Sequence, residues 1–96
     1  MDNIEMIVSK VFLDILPQIE DIQSDESMDE YDKKEAAYEL IISRLCEIRN
    51  LESTDKSFNL AVTKVRNIIN NKDNINQIMF YLNKVVDKYK SEGTNK

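Results

Sequence analysis

Few residues in this chain could carry chemistry. There is no histidine and a single cysteine, Cys46. No Ser-His or Cys-His pair can be assembled, and no zinc site of several Cys or His ligands can form. At about 100° per residue, Cys46 falls about 80° from Tyr38, at the edge of an apolar helical stripe. It reads as a small, half-buried apolar residue. A lone cysteine makes no internal disulfide and fits a reducing compartment.

Carboxylates are abundant. Seven fall within thirteen residues that contain no base: Glu20, Asp21, Asp25, Glu26, Asp29, Glu30 and Asp32. Read as a calcium loop from Asp25, the first, third and fifth positions are Asp25, Ser27 and Asp29. The sixth must be Gly and is Glu30; the twelfth must be a bidentate Glu and is Ala36. No metal and no cofactor is expected. Acid–base carboxylate pairs are open to any acidic chain, but no Gly-built loop or second catalytic group accompanies them here. The chain is expected not to be an enzyme. The seven acids are either a solubilising, helix-capping connection or a docking patch for a basic partner surface.

Charge is distributed unevenly. The chain carries −5 overall; residues 1–32 hold −9, residues 33–56 are neutral, and residues 57–96 hold +4. Lys84, Lys88 and Lys90 could meet phosphates, but Arg is scarce and the total is negative, so nucleic acid is not the expected partner.

Four elements must position these groups. The spacing predicts a helix from Asn3 to about Gln23 with Ile4, Ile7, Val8, Val11, Phe12, Ile15, Ile19 and Ile22 on one face. Pro17 lies inside it and predicts a kink or break. Residues 24–30 form an acidic connection, where Ser27 and Glu30 match a capping box. A second helix is expected over Met28–Leu51, its stripe Tyr31, Tyr38, Ile41, Ile42, Leu45 and Ile48. A third ends near Asn70, with Phe58, Ala61, Val62, Val65, Ile68 and Ile69 inward. A fourth spans about Asn74–Lys90, with Ile75, Ile78, Met79, Leu82, Val85, Val86 and Tyr89 inward, and a frayed tail follows over 91–96. The fold class is therefore all-α: one domain over 1–96, a four-helix antiparallel bundle with the first two helices long. No segment is apolar enough to span a bilayer, and Asp2 and Glu5 stand where a signal peptide needs basic and then apolar residues, so a cytoplasmic protein is expected. Twelve Ile, ten Asn and ten Lys have AT-rich codons, which suits a low-GC bacterium, a phage or a plasmid.

Some apolar residues fall off the stripes. Met6 and Leu13 lie about 160–180° from Ile4, Phe80 about 140° from Ile75, Leu40 opposite Tyr38 and Leu60 opposite Phe58. These, with Tyr81, are the candidate protein-binding or homodimer residues; Phe80 and Tyr81 are the favoured anchors because aromatics dominate interface energetics.

The stretch Asn59–Tyr89 reads as an amphipathic helix, a short Asn/Asp/Lys turn, then a helix carrying Ile78, Leu82 and Val85. It resembles the central helix pair of small immunity proteins for class II (pediocin-like) bacteriocins. The resemblance implies a cytosolic helical bundle that protects a producer cell by recognising a bacteriocin-bound permease. The family continues with a further helix and a specificity-setting tail, whereas this chain stops soon after Tyr89 and has a long helix in front. No recognition residues carry over. The expected function is a non-enzymatic, cytosolic immunity or inhibitor protein. The alternatives are a regulatory or adaptor subunit of a larger bacterial or phage complex, and an acidic nucleic-acid mimic blocking a nuclease or effector.

Overall fold

A computed structural model describes residues 3–52 and 56–94, with side chains for residues 3–48 and 56–92. It contains α1 (Asn3–Ser24), α2 (Glu30–Glu52), α3 (Lys56–Asn70) and α4 (Ile75–Thr94), with no strand among the described residues. The chain is an all-α four-helix bundle, and its shortest dimension of 21 Å fits two helix layers.

The three- and four-residue spacings become the core. Phe12, Ile15 and Ile19 of α1, Ile41 and Leu45 of α2, Ile69 of α3, and Ile78 and Leu82 of α4 are fully buried. Tyr31 departs from its expected place: it is 69% exposed. It lies in the first turn of α2, nearly two turns ahead of Ala37, the first fully buried residue of that helix. Ala37 is not part of the expected stripe, yet it is fully buried. Ser9 is also buried; its hydroxyl is satisfied by donating to the Glu5 carbonyl at 2.7 Å.

Pro17 does not break α1, which runs unbroken from Asn3 to Ser24. At the other end of the chain, α4 continues through Thr94, so residues 91–94 are helical rather than frayed; residues 95–96 lie outside the described residues.

Helices α1, α2 and α4 each pack against the other two. Helix α3 packs mainly on α2, touches α1 sparsely and barely meets α4, although residues 71–74 alone join it to α4. Side-chain bonds fix the polarity. Lys33, at the start of α2, donates from Nζ to the Gln23 carbonyl at the end of α1 (2.8 Å). Lys34 donates to the Asn70 carbonyl at the end of α3 (3.3 Å). Gln23 Nε2 donates to Asn76 Oδ1 at the start of α4 (2.6 Å). The end of α1, the start of α2, the end of α3 and the start of α4 therefore share one end of the bundle, here called the clasp. Helices α1 and α2, α2 and α3, and α1 and α4 run antiparallel.

Neither α1 nor α3 has a base in its last turn. Lys33 and Lys34 supply that missing positive charge from the neighbouring helix, facing the negative end of each dipole. Lys33→Ala and Lys34→Ala are each expected to lower stability by about 0.3–1 kcal/mol, with Lys33, whose bond is part-buried, at the upper end. Urea midpoints at low and high salt check this: both losses should shrink in high salt.

Candidate partner-binding surface

The acidic connection is built by its own carboxylates. Asp25 Oδ1 accepts the Ser27 N–H at 2.9 Å and the Ser27 hydroxyl at 2.5 Å, an Asx turn. Those two bonds, with help from the charge of Lys33, hold the Asp25 carboxyl below its usual value. Asp29 Oδ1 accepts the Asp32 N–H at 2.8 Å, and the Asp29 carbonyl accepts the Lys33 N–H at 3.0 Å. Asp29 is thus the N-cap of α2, which corrects the Ser27–Glu30 capping box. The helix starts at Glu30, two residues later than expected, and Ser27 is already bonded within the turn. Two of the seven acids therefore shape the connection. Glu20, Asp21, Glu26, Glu30 and Asp32 are exposed at the clasp end.

The start of α4 is built in the same manner. Asn74 Oδ1 accepts the Gln77 N–H at 3.1 Å, and Gln77 Oε1 accepts the Asp73 N–H at 2.8 Å. Asn76 is tied to Gln23. Asn74, Asn76, Gln77 and Lys72 line a shallow depression with Phe80. Their polar atoms hold the fold together, whereas the Phe80 ring is 73% exposed between fully buried Ile78 and Leu82.

The other apolar candidates divide. Leu13, Leu40 and Tyr81 are half-buried and pack against the core, so they offer a partner less surface than expected. Tyr81 meets Phe12 edge-on with ring centroids 5.9 Å apart, and Lys72 Nζ stands 5.7 Å from its ring centroid. Burial pushes the Tyr81 phenol up. Met6 and Leu60 are exposed, at 43% and 71%. They lie near the starts of α1 and α3, at the end opposite the clasp. The candidates are therefore not one patch. Phe80 shares the clasp end with the acidic residues; Met6 and Leu60 do not. Tyr31, in the first turn of α2, is a further exposed aromatic at the clasp end, masked in the sequence because its spacing fits the stripe.

Cys46 is half-buried and free. Among the described residues no three His, Cys, Asp or Glu side chains converge as metal ligands, and no helix is long and apolar enough to cross a membrane. Lys84, Lys88 and Lys90 are exposed along α4. No family model, curated protein or solved structure matches the chain.

Proposed function

We propose that this chain is a non-enzymatic, cytoplasmic protein-binding module, an immunity or inhibitor protein that seats Phe80 in an apolar pocket of a partner protein. The observation that carries this is the exposure of Phe80, 73%, on a helix whose Ile78 and Leu82, two positions to either side, are fully buried. A large ring held in water by a rigid helix, beside amides already bonded within the fold, is built as an anchor. The acidic residues at the same end favour a partner with a basic rim. Asp25 and Asp29 are engaged in the turn and the cap, which weakens the reading of this end as a nucleic-acid mimic. The immunity reading rests on the α3–α4 sequence pattern.

The test is capture of partner proteins from cells of the encoding organism by immobilised wild type and Phe80→Ala, with affinities then measured for whatever is retained. A protein held by wild type should bind Phe80→Ala about thirtyfold more weakly, the equivalent of about 2 kcal/mol, while both forms melt together. Equal retention by the two forms removes Phe80 from the interface. A retained toxin encoded next to this gene favours immunity; a structural operon favours the adaptor.

A further inference from the structure

Helices α1, α2 and α4 close a three-helix core among themselves, each touching the other two. Helix α3 stands outside that triangle, on α2, with sparse contact to α1 and almost none to α4. Its hold on the core is one narrow stripe, Phe58, Val62, Val65 and Ile69, and the remainder of its surface is largely exposed, Leu60 at 71%. At its C-terminal end the polar tie is the exposed Lys34 bond to the Asn70 carbonyl, at 3.3 Å. A helix held chiefly by one neighbour opens at lower free energy than helices held by two.

We propose that α3 is a separately opening unit: a cover over the α2 surface it packs on, with Lys34 as its latch and the α1–α2–α4 triangle as the part that stays folded. Opening withdraws Phe58, Val62, Val65 and Ile69 from the core and bares the apolar surface of α2 beneath them. The fold can then present an apolar surface that the closed form hides.

Native-state hydrogen exchange on the full chain tests this. In wild type, the amides of Val62, Val65 and Ile69 should be at least about tenfold less protected than those of Ile15, Ile19, Leu82 and Val86. Ile78→Val lies in α4, which α3 barely meets. It should speed the α1 and α4 amides about two- to tenfold, by weakening the triangle, and leave the α3 amides unchanged. Lys34→Ala should speed the α3 amides about two- to fivefold. Equal protection of all four helices in wild type, or Ile78→Val speeding every helix alike, overturns the separate opening of α3. An unchanged α3 rate in Lys34→Ala overturns the latch.

Discussion

Leu82→Ala is expected to cost about 2–5 kcal/mol of stability, while Phe80→Ala, two residues away on the same helix, should stay within about 0.5 kcal/mol of wild type. Leu82 is fully buried, so truncation loses its transfer free energy and leaves a cavity that rigid neighbours fill only in part. Phe80 is 73% exposed, so truncation opens no cavity. Alanine is also the better helix former, which offsets the little packing that the ring provides. For a domain of this size the Leu82 loss corresponds to a fall in Tm of at least about 8 °C. Urea and thermal unfolding of both variants side by side decide the matter. Comparable losses would place Phe80 in the core and remove the proposed anchor.

Pro17→Ala should raise stability by about 1–3 kcal/mol. Pro17 sits in mid-helix with its ring exposed, and α1 continues past it to Ser24. Having no N–H, it leaves the Leu13 carbonyl without its bond from residue 17, and its ring crowds that carbonyl. Alanine supplies the missing donor and removes the crowding, and no buried surface is lost because the ring lies outside the core. The chain with alanine has a freer unfolded state, which returns part of the gain. A higher urea midpoint with an unchanged m-value is the expected result. A lower midpoint would mean that proline sets the course of α1 between Phe12 and Ile19, and that the packing of both on their neighbours depends on it.

The helices and most of the core are legible in the sequence, because an amphipathic helix writes its buried face into its spacing. Phe12, Ile41, Ile69 and Leu82 point inward on that ground and are buried. Position along the helix is not legible. Tyr31 fits the stripe by angle, yet its turn precedes the first buried residue of α2, and a one-dimensional pattern does not show where a neighbour ends. Ala37 escapes for the opposite reason: a small residue gives little signal. The cap goes to Asp29 rather than Ser27 because competing local bonds are available to both, and only the geometry of the turn decides between them. For the candidate surface, Phe80, Met6 and Leu60 are legible as exposed, whereas the packing of Leu13, Leu40 and Tyr81 against the core is not. Which helices neighbour one another, and hence the peripheral place of α3, depends on crossing geometry that spacing does not encode.

The most extensive helix interface joins α1 to α4, the two elements farthest apart along the chain. Helical bundles fold fast when their contacts are local, because little chain entropy is lost before the first contacts reward it. In this topology α2 and α3 can meet across a short connection, but α1 and α4 meet only after the whole of α2 and α3 has been looped between them. The contacts of α2 with α1 and with α3 close across short connections, whereas those of α1 with α4 need the longest loop closure in the fold. During synthesis α1 emerges long before the surface it mostly packs against, so the apolar stripe from Val8 to Ile19 spends that interval without its main partner.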